Sequence, residues 1–411
     1  MKDIKTMERA YAELIVNSGV ALYPGQCLQI KTGPENYPFA QQVAIAAYES
    51  GALLVQIEID DLRLVRKRTD SQSIEQLSQV PDFAKNIDYE MMVKDWAYIR
   101  IDNTEDRHWL ADADSAKLGA YKAGKANSGR LYQLSRMRHE HPWCVVCAPG
   151  PQWAKQILGE NATVEDLWEI MAPILRLDTP DPITAWQEHA DTLLARGKYL
   201  DSLEIRSLHF KSSKTDLTIG FTEQHRWMGG GDPLPNGGFF LANIPTEEVF
   251  STPDRLTANG RVVTTRPVSV MDSLVEDVVL EFKDGKVVSC TAKKGQSIMD
   301  RFLDTDEGAR YLGEVALVDE DSPIAKAKHV FHSILFDENA SCHLALGAGY
   351  PSCLANYETL NSDEKLLGAG CNRSLVHTDF MVGSPDMDIV ATTRENKKVQ
   401  IMRQGRFVLG N

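Results

Sequence analysis

Residues 24–60 read PGQCLQIKTGPENYPFAQQVAIAAYESGALLVQIEID and contain a strand–helix–strand pattern. The turn at Pro24-Gly25 leads into CLQIKTG, a run that is typical of a strand. Phe39–Ser50 has apolar residues at helical spacing, and Gly51 after it is a natural C-cap. LLVQIEID then predicts a second strand. Two strands joined by a crossover helix are the unit from which parallel sheets are built.

The same alternation continues on both sides of this unit. A helix is predicted at Met7–Asn17, further strands at AYIRID (97–102) and WCVVCAP (143–149), and a long helical stretch at residues 114–138. The pattern predicts an α/β domain over residues 1–198, with a parallel sheet covered by helices. Nucleotide-binding folds share this alternation, but the sequence has no GxGxxG after a strand and no GxxxxGK[ST].

The character of the sequence changes between residues 195 and 203. β-branched and alternating runs follow, among them DLTIGF (216–221), GRVVTTRPVSV (260–270) and DVVLEFKDGKVVSCTA (277–292). Within the last of these, Asp284-Gly285 predicts a two-residue hairpin turn. We therefore predict a second domain over residues 199–411, with a β-rich α+β fold.

Composition limits the partners of the protein. Its 411 residues carry a formal charge of -14, which argues against a nucleic-acid partner and suits a protein that attracts cations. No run approaches the roughly 20 apolar residues of a membrane helix, and the N-terminus lacks the apolar core of a signal peptide. The seven cysteines are odd in number and scattered, as in proteins with reduced thiols. We expect a cytoplasmic protein without a membrane partner.

Five clusters in the β-rich half combine polar groups with apolar neighbours. They are Asn243–Phe250, Gly313–Leu317, Phe336–His343, Gly349-Tyr350 and His377–Met381. Each alone is a weak signal, but together their carboxylates and histidines would be a costly concentration of charge without a cation. Such ligands suit Zn, Co or Mn, and a bridging carboxylate permits two ions roughly 3.5–4 Å apart. The residue types indicate metal-assisted hydrolysis without distinguishing peptides, amides and phosphate esters.

These runs resemble the thermophilic aminopeptidase family, the group that includes aminopeptidase T and aminopeptidase S. The match extends essentially end to end and is strongest in ANIPTEEVFSTPDR, DEGARYLGEVALV, LFDENASCHLALG and SLVHTDFMVGSPDMDI. The ordered combination of TEEVF, GEVAL, DENAxxH and HxDFM is its most specific part. The resemblance implies a homodimeric metallo-exopeptidase that removes N-terminal residues from short peptides with two co-catalytic divalent ions.

The resemblance also implies roles for individual residues. The metal ligands would be Glu248, Glu314, Glu338, His343, His377 and Asp379. Glu314 would bridge the two ions, and Glu338 would complete the shell of one. Tyr350 would be the catalytic tyrosine, donating a hydrogen bond to the developing oxyanion. Of the two adjacent glutamates we expect Glu248 to be the ligand, while Glu247 would support it or carry a proton to the leaving amine.

Two alternatives belong to other classes. Some relatives of this family are mononuclear iron(II) ring-cleaving dioxygenases, and His343, His377 and Asp379 could supply the two-histidine, one-carboxylate set of such an iron site. A single iron has no need of the three glutamates, so their presence favours the hydrolase. A non-catalytic, metal-stabilised protein is the other alternative, and it gives no reason for Tyr350 beside the ligands.

Overall fold

The computed structural model describes residues 3–110, 112–271 and 273–408. Within them the chain forms two compact units. The first runs up to Gln187 and takes in Gly231–Pro245, and the second comprises Glu188–Gly230 and the chain from Thr246 onward. The predicted order of an α/β fold followed by a β-rich fold is confirmed. The predicted limit at residue 198 lies within the helix Pro182–Ser202, and the return of residues 231–245 to the first unit was not predicted.

The bounds of the elements are as follows. The helices are α1 Ile4–Leu14, α2 Tyr37–Glu49, α3 Leu62–Ser71, α4 Ile74–Ser78, α5 Asp82–Val93, α6 Ser115–Ser128, α7 Arg130–Met137, α8 Pro151–Leu158, α9 Val164–Ile174, α10 Pro182–Ser202, α11 Gln296–Leu303, α12 Pro323–Ala327, α13 Ile334–Asp337 and α14 Asp363–Gly368. The strands are β1 Cys27–Thr32, β2 Leu54–Ile59, β3 Ala97–Asp102, β4 Trp143–Cys147, β5 Ile205–Lys211, β6 Asp216–Gly220, β7 Asp232–Pro233, β8 Phe239–Phe240, β9 Asn243–Ile244, β10 Glu248–Ser251, β11 Asn259–Val263, β12 Val268–Val270, β13 Ser273–Lys283, β14 Lys286–Lys294, β15 Leu312–Val318, β16 His343–Gly347, β17 His377–Met381, β18 Asp388–Thr393, β19 Lys398–Arg403 and β20 Arg406–Phe407.

The main sheet of the first unit is parallel, with the strand order β2-β1-β3-β4-β9, and β7 and β8 form a separate antiparallel pair. The first four strands are those predicted from the sequence. The fifth, β9, consists of two residues that pair with Val145 and Val146 of β4. The helical stretch predicted over residues 114–138 is divided into α6 and α7, because α6 ends at Gly129. No helix among the described residues is long and apolar enough to cross a membrane.

A buried carboxylate lies just beyond the carboxyl end of β3 in the first unit. Glu105 is 2% exposed and accepts hydrogen bonds of 2.8 Å from the backbone N–H groups of Gln152 and Trp153, in the first turn of α8. A Cβ atom on Gly150 would lie 2.3 Å from the carboxyl carbon of Glu105, so any larger residue there would displace this carboxylate. Burial raises the pKa of Glu105, and the two N–H groups oppose that rise. The carboxylate thus caps the positive end of the helix dipole.

The second unit contains two antiparallel sheets. The larger has the order β12-β13-β11-β6-β5-β18-β19-β20, with β14 paired to β13. The predicted hairpin turn is confirmed, since β13 and β14 are joined by Asp284 and Gly285, whose φ values are 49° and 83°. Two successive left-handed residues are the requirement of a type I′ turn.

The smaller sheet has the strand order β10-β15-β16-β17. Adjacent residues of a strand point to opposite faces, so each of its strands has two kinds of side chain. One kind joins the apolar core of the unit: Val249, Val315, Leu317, Leu344, Leu346 and Phe380. These residues fix the sheet in place and leave its other face to the polar residues between them.

Candidate metal centre

The polar face of the small sheet brings together five of the predicted metal ligands. Glu248 begins β10, Glu314 lies on β15 and His343 begins β16. His377 and Asp379 lie two residues apart on β17, so they share a face as the His-x-Asp spacing predicts. Every strand of the sheet therefore contributes a candidate ligand.

Small residues keep the centre of this face open. Ala345 of β16 is paired with Glu314 on one side and with Asp379 on the other. Gly347, two residues further along, is paired with His377. Directly paired residues lie on the same face with close Cβ atoms. At these two positions β16 contributes only a methyl group or a hydrogen atom. The longer side chains of the neighbouring strands β15 and β17 can therefore converge above it.

A β-bulge directs Glu314 into the site. The pairing of β15 with β16 shifts between Leu312 and Glu314, which makes Gly313 the additional residue. Bulges turn the side chains around them and are often found near active sites. A Cβ atom on Gly313 would lie 2.2 Å from the carbonyl oxygen of Ala348 and 2.5 Å from that of Gly347. The glycine that precedes Glu314 is thus needed for the bulge to fit.

The ligand atoms form two groups that share Glu314. Oε2 of Glu248 lies 3.1 Å from Nε2 of His343, and Oε1 of Glu314 lies 4.0 Å from the same nitrogen. In the second group, Nε2 of His377 lies 3.2 Å from Oε2 of Glu314 and 3.4 Å from Oδ1 of Asp379. Each group has its candidate ligand atoms within 4.8 Å of one another. The two oxygens of Glu314 therefore face different histidines.

Both histidines are oriented by their other ring nitrogen. Nδ1 of His377 lies 2.7 Å from the carbonyl oxygen of Ala348, and Nδ1 of His343 lies 3.3 Å from that of Ser341. A carbonyl oxygen only accepts hydrogen bonds, so each Nδ1 is the protonated nitrogen. In the neutral ring the lone pair of Nε2 then points at the carboxylates. That arrangement is repulsive unless a proton or a metal cation lies between them, and it is how metal-binding histidines are commonly held.

Two buried carboxylate oxygens of this cluster have no hydrogen-bond partner among the described residues, namely Oε2 of Glu248 and Oδ1 of Asp379. Each is within 3.5 Å of a histidine Nε2, but neither contact has the geometry of a hydrogen bond. Buried carboxylates are normally hydrogen-bonded, paired or bound to a metal. Mixed carboxylate and imidazole ligands suit a divalent transition metal, so the residues present fit such an ion.

The electrostatics of the cluster favour a cation. Burial, with the carboxylates of Asp379 and Glu248, raises the pKa of Glu314 to about 7 against the opposing hydrogen bond from His377. Burial alone would lower the pKa of His343, but Glu248 outweighs it and raises that pKa to about 10. Asp379 likewise holds the pKa of His377 well above its ordinary value despite burial. Without a metal, the surrounding carboxylates therefore favour the protonated form of both imidazoles.

Glu338 lies beside the group formed by Glu314, His377 and Asp379. It is a member of neither group of candidate ligand atoms among the described residues. It begins the 3-10 turn Glu338–Ala340 after α13. Burial, followed by the carboxylates of Asp379 and Glu248, raises the pKa of Glu338 well above its ordinary value. Its carboxyl group is in hydrogen-bonding contact with Asp379. Burial would raise the pKa of Asp379, but His377 and this hydrogen bond lower it overall.

Tyr350 follows β16 and packs against the same cluster. Its ring centroid lies 5.1 Å from that of His377 and 5.5 Å from that of Phe250, both at steep interplanar angles. Burial, followed by the nearby carboxylates, with Glu314 first among them, raises the pKa of Tyr350 well above its ordinary value. The phenol is therefore protonated at neutral pH and can donate a hydrogen bond.

Glu247 lies immediately before β10, which begins with Glu248. Its Oε2 lies 3.4 Å from Nε2 of His189 on α10, and its backbone N–H donates a 2.7 Å hydrogen bond to Oδ1 of Asn339. Among the described residues, neither group of candidate ligand atoms includes Glu247.

Sequence reasoning assigned no role to two buried polar residues that hold this site together. Asn339 links the start of β10 to α13, because it accepts from Glu247 and donates a 3.0 Å hydrogen bond to the carbonyl of Leu335. Thr252 lies just after β10 and is 2% exposed. Both residues occur within the runs DENA and FSTP of the family resemblance, and a polar residue at a buried position of such a run is the signal that could have identified them.

The fold and the site define a metal-dependent hydrolase, and the comparison with protein families agrees. The model of the thermophilic metalloprotease (M29) family matches residues 5–407. The chain belongs to this family. The predicted class of enzyme, a metallo-aminopeptidase, is thereby confirmed.

Individual relatives agree along the whole chain. Aminopeptidase 2 of Geobacillus stearothermophilus is 36% identical over 400 residues, which cover 97% of this chain and 96% of the relative. Aminopeptidase T of Thermus thermophilus is 37% identical over 409 residues, which cover 97% of each protein. The solved structure of wild-type AmpT from Thermus thermophilus has a TM-score of 0.91 at 33% identity, covering 99% of this chain and 100% of that chain. These relatives give no support to the dioxygenase alternative.

Proposed function

We propose that this protein is a two-metal aminopeptidase that hydrolyses the first peptide bond of short peptides. The observation that carries the proposal is the position of Glu314, whose two oxygens face the Nε2 atoms of His343 and His377. A carboxylate shared by two groups of ligand atoms suits two divalent ions of the Zn, Co or Mn type. The names of the relatives, all aminopeptidases, support the choice of peptide as substrate.

In this proposal Glu248 and His343 would hold one ion, His377 and Asp379 would hold the other, and Glu314 would be shared by both. Glu338 would complete the shell of one ion, and its closeness to Asp379 supports this assignment. Bound ions would relieve the repulsion among the buried carboxylates. They would supply Lewis acidity toward the scissile carbonyl and a hydroxide nucleophile near neutral pH.

Tyr350 supplies the hydrogen bond to the oxyanion. The carbonyl oxygen of the substrate gains negative charge in the transition state, and a donor placed in advance stabilises it without reorganisation. The raised pKa of Tyr350 keeps its hydroxyl protonated for this purpose. Its packing against His377 supports a position beside the ligands.

Glu247 has two possible roles that differ in their consequences. It either carries a proton to the leaving amine or supports the neighbouring ligand Glu248. Its burial and its contact with His189 suit a carboxylate whose position is fixed. Metal content separates the roles, because Glu247→Gln should keep both ions if Glu247 only transfers a proton.

Substrate, assembly and location complete the proposal. The net charge of -14 and the family likeness support recognition of a free α-ammonium group on short peptides. The homodimer and the cytoplasmic location stay predictions from the sequence. Light scattering after size exclusion and cell fractionation would test them.

The test of the two-metal site compares two changes. Glu314→Gln removes a charge shared by two cations, and an amide is a poor bridging ligand, so the variant should lose metal together with activity. Tyr350→Phe deletes one hydroxyl and should keep both ions while kcat falls by roughly 10²–10³, the usual cost of one oxyanion donor. Metal content is measured by mass spectrometry, and activity by release of an amino acid from an aminoacyl-arylamide.

Three results would contradict parts of the proposal. A fully active preparation with one ion per chain, or none, would exclude the two-metal site. Near-normal kcat in Tyr350→Phe with metal bound would leave Tyr350 as a packing residue only. Loss of metal in Tyr350→Phe would place the tyrosine among the ligands.

A further inference from the structure

One threonine hydroxyl connects two parts of the metal centre. Oγ1 of Thr252 donates a 2.7 Å hydrogen bond to the carbonyl of Gly313 and accepts a 3.2 Å hydrogen bond from the backbone N–H of Tyr350. It also lies in hydrogen-bonding contact with the thiol of Cys371. Thr252 is buried at the end of β10, away from the ligand atoms themselves.

The two backbone groups that this hydroxyl contacts belong to segments that contain glycine. Gly313 is the bulge residue that turns Glu314, and Tyr350 ends a turn that contains Gly347 and Gly349. Glycine-rich segments have many accessible conformations, so they need anchors to be held in one.

The packing around this hydroxyl leaves no room for a replacement contact. A Cβ atom on Gly349 would lie 2.6 Å from Oγ1 of Thr252 and 3.1 Å from the carbonyl oxygen of Gly313. The hydroxyl thus lies in a space that a side chain at position 349 would invade.

The turn before Tyr350 has a different anchor at its other end. The side-chain amide of Asn372 donates a 2.6 Å hydrogen bond to the carbonyl of Gly347. The backbone carbonyl of Asn372 accepts a 2.8 Å hydrogen bond from the N–H of Gly349. Ala348, between them, accepts from Nδ1 of His377. Asn372 therefore secures the part of the turn that orients His377, and Thr252 secures the part that carries Tyr350.

The ring contacts of Tyr350 do not replace this anchor. The ring packs on Phe250 and His377. Such aromatic contacts tolerate a range of offsets, whereas a hydrogen bond to the backbone fixes a distance and a direction. Displacement by about 1 Å of a group that must meet a transition state can cost about 10²-fold in rate.

We propose that Thr252 is a positioning residue for the Tyr350 hydroxyl, acting through the backbone N–H of Tyr350. The inference rests on the proposed role of Tyr350 as the oxyanion donor. Thr252 does not contact the substrate and holds no ion; it fixes where the phenol stands relative to the ligands.

The experiment uses the metal-loaded enzyme with Thr252→Val and Thr252→Ser. Valine has nearly the same shape and lacks the hydroxyl, so it leaves the N–H of Tyr350 and the carbonyl of Gly313 without that partner. Thr252→Val should lower kcat by roughly 10-fold to 10²-fold while the metal content stays that of the parent enzyme. Thr252→Ser keeps the hydroxyl and should restore kcat to near the parent value.

Two further readouts separate positioning from a general loss of structure. In a Tyr350→Phe background, Thr252→Val should cause no further fall in kcat, because the hydroxyl to be positioned is already gone. Amide hydrogen exchange in the peptide that contains Tyr350 should become faster in Thr252→Val and not in Thr252→Ser, with or without metal. Should the valine variant fail to fold, Thr252→Cys takes its place. Its thiol is of similar size and only a weak donor, so this variant should show the lowered kcat and the faster exchange expected of valine.

Several outcomes would overturn the inference. Normal kcat in Thr252→Val, a serine variant as impaired as valine, loss of metal in Thr252→Val, or an undiminished fall in the Tyr350→Phe background would each do so. These outcomes leave the proposed role of Tyr350 intact if Tyr350→Phe alone lowers kcat. Near-normal kcat in Tyr350→Phe would instead remove that role, and the role of Thr252 with it.

Discussion

Loading the metal site should release protons from its two histidines. In both rings Nδ1 is committed to a backbone carbonyl, so an ion can bind only at Nε2. The pKa of His343 is raised to about 10, so at pH 8 the protonated form outnumbers the neutral one by about 100 to 1. The pKa of His377 is raised well above its ordinary value by Asp379. A histidine ligand must be neutral, so we expect the two rings to contribute about two protons per chain at pH 8, which is a lower bound because Glu338 and a metal-bound water would add to it.

The same protons set the pH dependence of metal affinity. Each displaced proton weakens apparent binding by about tenfold for every unit by which the pH falls. For the two histidine protons alone, the product of the two association constants should fall by about a hundredfold between pH 8 and pH 7. Glu314, with its pKa of about 7, takes up a further proton as the pH falls through that value, so the dependence should become steeper there.

Isothermal titration calorimetry measures this number directly. Chelated protein is titrated with Zn²⁺ at pH 8 in two non-coordinating buffers that differ in enthalpy of ionisation, and the difference in heat gives the protons released. The variant His209→Gln is a matched control, because that histidine pairs with Asp216 at the surface and should not alter the result. Release of no protons at pH 8 would mean that both rings are neutral in the metal-free site, which would refute the electrostatic reasoning.

Two other predictions concern the substrate and the floor of the site. An N-acetylated peptide should be cut far more slowly than its free counterpart, because the proposed enzyme recognises a free amino terminus; equal rates in a chromatographic assay would indicate an endopeptidase or amidase. Ala345→Leu should abolish metal binding while the protein still folds, at a cost of about 1–3 kcal/mol in stability, since the added side chain fills the space between Glu314 and Asp379 on the polar face. Ala345→Ser is the small control, and metal content with circular dichroism checks both; full metal content in the leucine variant would contradict the arrangement.

The sequence predicted those parts of the molecule that depend on local pattern. Period-2 alternation placed His377 and Asp379 on one face of a strand, and the Asp284-Gly285 turn identified its hairpin without reference to distant residues. The two-residue strand β9 is too short to show any period, and its partner β4 lies far away in the sequence. The division of the predicted helix at Gly129 was also missed, since a glycine within a helical pattern is often tolerated.

The supporting residues of the site were beyond the reach of local pattern for a related reason. The hydrogen bond from Thr252 to Gly313 spans 61 positions, and that from Glu247 to Asn339 spans 92. Their meaning depends on which segments the fold brings together. The ligands could be inferred because carboxylates and imidazoles carry their own chemistry, whereas a threonine or an asparagine acquires its role only from its neighbours.

The carboxylate of Glu105 is an anion that the chain itself places at the N-terminus of α8, beside the parallel sheet. Helix N-termini beside the carboxyl ends of parallel strands are the places where related architectures receive phosphate groups from solution. At α8 the two N–H groups are already satisfied by a carboxylate covalently attached to the same unit. A diffusing phosphate would have to compete with a group whose effective concentration is on the order of millimolar or more. The first unit thus has the strand–helix alternation of nucleotide-binding folds, but its own Glu105 carboxylate occupies the position where such folds bind an anion. Replacing Glu105 by a small neutral residue would leave an existing anion position empty.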